Sequence, residues 1–332
     1  MKDKLIIISS IFLLLSLISN PAAAEKKQML LLDAQTIEPY QSLRESMFAE
    51  LAKLGYQRDD NLIVDYEVVG NYAGRGYNIL KYKQDKDYDV IVLNGTFAGL
   101  SAVEFMERED VNPNNYKFIF GSVTDPVGVG MVEELGTPTT TNFTGVAFPV
   151  SVAKRLRFIQ KIFGKDLTVG FIYTNMSQSR SYNQWLRAEL KKEEFQGLDF
   201  IFKEIEFVQS NQGTERMVEI AKEHVKELDN KVDIFVSASD QLGSSAQFSK
   251  MVYQTASKPL VGIAKEEGVT MSLATDQQKN GKQVAQMIKR VFTGEEIKDI
   301  IPQKSEATVY FDWAKVKEFK IDIPPELKDT EK

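Results

Sequence analysis

Five short stretches bring hydroxyls, amides and carboxylates together: Asp33-Ala34-Gln35, Asn94-Gly95-Thr96-Phe97, Gly121 to Asp125, Thr174-Asn175 and Ser237-Ala238-Ser239-Asp240. Such groups hydrogen-bond small polar molecules, and paired carboxylates can also act as acid and base in glycoside hydrolysis when they stand about 5 to 9.5 Å apart. None of the five holds a His. The single His224 lies in the charged helical stretch Ala221 to Lys226 and reads as a solvated surface residue, so neither a Ser-His-Asp triad nor a His-based zinc site is expected. With no Cys, a thiolate metal site, a disulfide framework and a lipid-anchored amino-terminal Cys are all excluded. There is no phosphate-binding G-x-x-x-x-G-K-[ST] loop, and Gly74-Arg75-Gly76 is too short and wrongly placed for a dinucleotide fingerprint. No cofactor and no metal are expected.

Three carboxylates, Asp33, Asp125 and Asp240, fall within these stretches. Asp125 precedes Pro126, where a carboxylate accepts backbone hydrogen bonds and shapes an extended-to-turn exit, so it reads as a brace rather than a catalyst. Asp240 has two open readings. Followed by Gln241-Leu242-Gly243, the expected start of a helix, it is an N-cap contributing about 1 kcal/mol. Facing a cleft, it pairs with a ligand ammonium through a charge-assisted bond.

Each stretch follows an apolar run. Met29 to Leu32 is continuous and apolar, as in a strand buried on both faces, whereas Leu43, Met47, Leu51 and Leu54 form a helical stripe ended by Gly55. The alternation continues with strands at 62–69, 90–93 and 118–120 and helices at about 77–85 and 97–108. After Pro149 a second series brings helices at 152–163, 182–192, 215–228 and 246–255 and strands at 169–173, 200–205, 234–236 and 260–263. Strands at 269–273 and 309–311 and helices at 277–292 and 313–319 complete the chain. This pattern predicts an α/β protein of two similar lobes, each a parallel sheet flanked by helices, with ligands beyond the carboxyl ends of the strands. The elements after Gly268 suit a chain that crosses between lobes more than once.

The 332 residues are ample for two domains, and the formal charge of -6 makes nucleic acid a poor partner. Lys2 and Lys4, the apolar run Leu5 to Ile18 and the small residues Ala22-Ala23-Ala24 read as a signal peptide over residues 1–24. No later segment approaches the roughly 18 consecutive apolar residues of a membrane helix. The expected location is the periplasm. The sequons at Asn94 and Asn142 adjoin apolar segments and read as chance matches.

The stretch FGSVTDPVGVGMV at 120–132, followed by Thr137-Pro138 and Asn142 to Val146, resembles the "VTDPV..GLV...P..N.TGV" signature of the ABC-transporter substrate-binding family, which has aromatic amino acid binders among its members. Leu51 to Tyr56, Asn61 to Tyr66, Asp89 to Thr96, Val236 to Asp240, Pro259 to Glu267, Asp276 to Gly281 and Ile323 to Glu326 follow the family's order and spacing. Essentially the whole chain after residue 24 is covered. The resemblance implies the type I periplasmic binding protein fold: two Rossmann-like lobes joined by three crossing segments. Lobe one is expected over 25–148 plus about 274–305, and lobe two over 149–273 plus about 306–332. It implies that Thr96 and Thr124 serve a solute carboxylate and Asp240 its ammonium, and that the partner is an ABC permease in the inner membrane. Tyr40, Phe97 and Tyr173 are candidates for an aromatic clamp, with Phe148 assigned to the core. The chain departs from the family at Tyr173 to Ser179, at Asp276-Gln277 and at Phe97, so the implied fold transfers better than the ligand. The expected function is a non-enzymatic receptor that captures a small solute, an amino acid or related compound. A sensor subunit signalling to a membrane kinase or cyclase and a carboxylate-dependent glycoside hydrolase are the alternatives.

Overall fold

A computed structural model describes residues 26–208 and 213–328, without the side chains of residues 177 and 178. The expected signal peptide lies outside the described residues, as do 329–332. Among the described residues no helix is long and apolar enough to cross a membrane.

The first series runs β1 (Lys27–Asp33), α1 (Tyr40–Lys53), β2 (Leu62–Val68), α2 (Ala73–Tyr82), β3 (Val90–Asn94), α3 (Thr96–Met106), β4 (Phe118–Val123) and β5 (Phe143–Ala147). The second runs α4 (Val152–Phe163), β6 (Leu167–Thr174), α5 (Ser177–Glu189), β7 (Leu198–Ile205), α6 (Gly213–Leu228), β8 (Ile234–Ser237), α7 (Ala246–Thr255), β9 (Leu260–Gly262) and β10 (Met271–Thr275). Then come α8 (Gln277–Phe292), β11 (Ala307–Phe311), α9 (Trp313–Glu318) and α10 (Pro325–Lys328). The strands form two sheets, ordered β2-β1-β3-β4-β5 and β11-β10-β9-β8-β6-β7. All pairings are parallel except that of β11 with β10, an antiparallel edge.

Alternation of side chains along β1 explains its unbroken apolar run. Met29 and Leu31 pack with Met47 and Leu51 of α1 and with Val284 and Ile288 of α8. Leu30 and Leu32 face the other way, onto Leu80 of α2 and Ala98, Ala102 and Phe105 of α3. Each face of the strand is therefore buried by its own helical layer. The second sheet is covered in the same manner, with Phe171 on one face and Ile172 and Phe235 on the other.

Helix α8 follows β10 of the second sheet but packs along α1 on the first. Its Gly281 allows the approach, because a Cβ there would overlap Ser46 Oγ and the carbonyl oxygen of Leu43. The chain passes between sheets at 148–151, at 275–277 and again before β11. These passages are tied together: Thr275 Oγ1 donates to Phe148 O at 2.6 Å, and Thr308 Oγ1 donates to Asp276 Oδ2 at 3.0 Å. Asp276 also caps α8 by accepting from Lys279 N at 2.9 Å, and the departure from the family pattern is its neighbour Gln277.

Candidate functional site

A cavity of about 480 Å³ lies between the carboxyl ends of the two sheets, within the size range of small-molecule sites. One side begins with the loop from β1 to α1, which supplies Gln35, Ile37, Glu38 and Tyr40. A buried polar group holds this loop. Asp33 pairs with Arg44 Nη1, and its Oδ1 accepts from Asn94 Nδ2 at 2.7 Å while Oδ2 accepts from Tyr66 OH at 3.0 Å. Arg44 Nη2 then donates to Thr36 O at 3.2 Å, and Asn94 Nδ2 to Tyr40 O at 3.0 Å.

Burial raises the Asp33 carboxyl above its ordinary value of 3.8, outweighing the hydrogen bond from Asn94 and the attraction of Arg44. A raised folded-state value means the folded protein holds this proton more tightly than the unfolded chain, so the contribution of Asp33 to stability declines as pH rises from about 4 through the raised value. Asp33→Asn cannot ionise. Relative to the parent, its stability is expected to rise across that window in urea unfolding from pH 4 to 7; parallel curves would refute the coupling. Burial, followed by the Asp33 charge, also pushes the Tyr40 phenol up to about 12, so it stays a neutral hydroxyl at the cavity wall.

Gly95 precedes α3 at φ +116, and a Cβ there would meet Ala34 Cβ at 2.6 Å and the Tyr40 ring at 2.7 Å. Thr96 opens the helix at the cavity with no side-chain cap, leaving first-turn N–H groups available. Thr96 Oγ1 accepts from Thr124 N at 3.2 Å. The signature stretch reaches the cavity by a backbone irregularity. Ser122 has φ 54, and the β4–β5 register shifts between Phe120 and Val123, a bulge that turns both Ser122 and Thr124 to the cavity. Gln277 Nε2 donates to Ser122 Oγ at 2.9 Å. Asp125 does not line the cavity; its Oδ1 accepts from Gly128 N at 2.8 Å and closes the turn.

The other side comes from loops after β8 and β9, with Ser239, Asp240, Gln241 and Glu266. Asp240 is 6% exposed and heavily engaged. Its Oδ2 accepts from Thr174 N at 2.8 Å, Thr174 Oγ1 at 2.9 Å and Ser179 Oγ at 2.7 Å, and Oδ1 accepts from Gly243 N at 2.8 Å. It closes a single turn rather than opening a helix. Helix α7 begins at Ala246, capped by Ser245, whose Oγ accepts from Phe248 N at 3.2 Å.

The structure thus brings Tyr40, Thr96, Thr124 and Asp240 to one cavity and places Phe97 and Tyr173 elsewhere. Phe97, in the first turn of α3, packs half-buried against the core. Tyr173 is within β6 rather than beyond its end, and its ring meets Phe171 at 5.9 Å and Phe202 at 6.4 Å. Phe148, assigned to the core from sequence, lines the cavity. Asn71, Gln241 and Glu266 were missed. Asn71 and Glu266 follow the ends of β2 and β9, so the rule of strand ends would have found them had those two ends been included.

Facing sheets with a cavity between their carboxyl ends and three crossings behind it define the type I periplasmic binding protein fold. The chain belongs to the ABC transporter substrate binding protein family, whose model matches residues 40–329. It is similar in structure to a conserved domain protein from Vibrio cholerae (18% identity, TM-score 0.73, covering 92% of this chain and 98% of that one). An ABC domain in complex with L-Trp from Streptococcus pneumonia is as similar (20% identity, TM-score 0.73, 92% and 98%). A solute binding protein from Bacillus halodurans with bound myo-inositol is more distant (12% identity, TM-score 0.60, 90% and 99%). No curated protein matches the sequence.

Proposed function

We propose that the protein is a periplasmic, non-enzymatic receptor that captures a small dipolar solute, an amino acid or related compound, by closing the cleft, and delivers it to an ABC permease. The observation that carries this reading is the single cavity wall built from both sheets, with hydroxyls, Glu38 and an uncapped helix start on one side and Asp240 and Glu266 on the other. In this reading the solute carboxylate lies at the start of α3 near Thr96 and Thr124, where unpaired N–H groups and the helix dipole favour an anion. Four donors on Asp240 make it part of the cavity frame, a role at odds with proton transfer. Solute shifts the open–closed equilibrium by its preference for the closed form.

A thermal-unfolding screen of amino acids and related solutes tests the reading. A true ligand at about 100 times its dissociation constant is expected to add about 2.7 kcal/mol of stability. Turnover of the stabilising compound, or stabilisation undiminished when Thr96 and Thr124 are both replaced by Val, would count against it.

A further inference from the structure

Among the described residues the cavity between the sheets has no Lys, Arg or His in its wall, but it has three carboxylates: Glu38, Asp240 and Glu266. Asp240 already holds four protein donors. The other two come from opposite sides, Glu38 from the loop before α1 and Glu266 from the loop after β9. Glu38 accepts one hydrogen bond, from Ser42 Oγ at 2.7 Å. Glu266 is half-buried and held above the usual carboxylate range by burial and then by the negative charge of Glu38. The neighbouring Lys265 lines an adjoining cavity that Glu38 and Glu266 also border, its ammonium 4.8 Å from the centre of the Tyr310 ring.

A second observation points the same way. Asn71 is 6% exposed and lines the same cavity, yet its Oδ1 has no donor. Its Nδ2 is used across the cleft, donating to Gln241 Oε1 at 3.1 Å. A buried acceptor without a donor is costly, and a ligand that brings the missing hydrogen removes that cost. Two carboxylates brought together by closure repel each other, so a neutral solute would leave the closed form penalised and a cation would not.

We propose that the cleft selects a solute bearing a positively charged, multi-donor group, an ammonium or guanidinium, received by Glu38 and Glu266 with Asn71 Oδ1 as a neutral acceptor. This rests on the reading of the cleft as a solute site and specifies the chemistry of its occupant. It adds to the carboxylate position at α3 a second, oppositely charged end, so the class is a cationic amino acid or an amine or guanidine derived from one.

Calorimetric titration with L-arginine, agmatine and the uncharged isostere L-citrulline provides the test. At least one of the two guanidinium compounds is expected to bind about tenfold or more tightly than citrulline, the difference of one strong charge contact. Glu38→Gln and Glu266→Gln are each expected to narrow that ratio, and the double variant to abolish it. The ligand-free variants should unfold at the parental temperature or above, since one repelling charge is gone. Citrulline or L-tryptophan binding as well as the guanidinium compounds, or a ratio unchanged in the double variant, overturns the charge selection and leaves the receptor reading standing. Failure of the receptor reading registers separately, as turnover of the stabilising compound.

Discussion

Replacing Asp240 with Ala is expected to lower folding stability by about 3 kcal/mol and to remove solute binding with it. The basis is the count of stranded donors: the change leaves Thr174 N, Thr174 Oγ1, Ser179 Oγ and Gly243 N without their common acceptor in a site that is 6% exposed. Each unsatisfied buried group costs about 1 to 3 kcal/mol, and water entering the vacated space recovers part of the total. Asp240→Asn keeps one oxygen as acceptor and should lose roughly half as much. Urea unfolding reads both, as lower midpoints at unchanged slope. A fully stable Asp240→Ala protein that nevertheless binds no solute would restore the sequence-based reading of a carboxylate kept chiefly for the ligand ammonium.

Arg155 is expected to be nearly as sensitive. It is 4% exposed, and among the described residues no carboxylate pairs with it. Nη1 donates to Tyr182 OH at 2.9 Å, Nη2 donates to Gly262 O at 3.2 Å, and both reach Ser237 O at 3.3 to 3.4 Å. The guanidinium thus gathers the carbonyl ends of β8 and β9, the strands whose following loops carry Asp240 and Glu266. Arg155→Met fills similar volume without the donors and should cost about 2 kcal/mol, with faster amide exchange around Ser237 to Asp240. Arg155→Lys should recover little, because one ammonium cannot match a planar fork directed at three acceptors. A Met variant as stable as the parent would show that the desolvation cost of the buried cation cancels its hydrogen bonds.

Periodicity made most of the architecture legible. The alternating faces of β1 and the stripes of α4, α7 and α8 are consequences of burial on known faces, and those three helices match their expected limits. Strand β5 was not legible. It is five residues long with Gly145 at its centre, where a Cβ would strike the backbone of Phe120, so its run of strand-forming side chains is short and broken. The antiparallel β11 gives the same local signal as a parallel strand, since direction depends on the path of the chain. At the site, sequence located strand ends but not side-chain directions. Phe97 and Tyr173 stand beside cleft residues in the chain, yet one turns into the helix layer and the other remains inside its strand. Asp240 was placed at the cavity, whereas the four donors that occupy it come from parts of the chain as distant as Thr174. Ser122 reaches the cavity through a positive φ that no composition or spacing rule assigns to a serine.

Helix α8 has a consequence for how the molecule is made. The first sheet is translated early, but the α1 side of its core is finished by Val284, Ile288 and Val291, which are synthesised after every strand of the second sheet except β11. Until they arrive, Met47 and Leu51 lack part of their cover, and the contacts that close over them span most of the polypeptide. The half of the protein that is born first therefore stays unfinished until most of the other half has been made, and while the chain is still being synthesised its exposed apolar face is the natural handle for a holding chaperone.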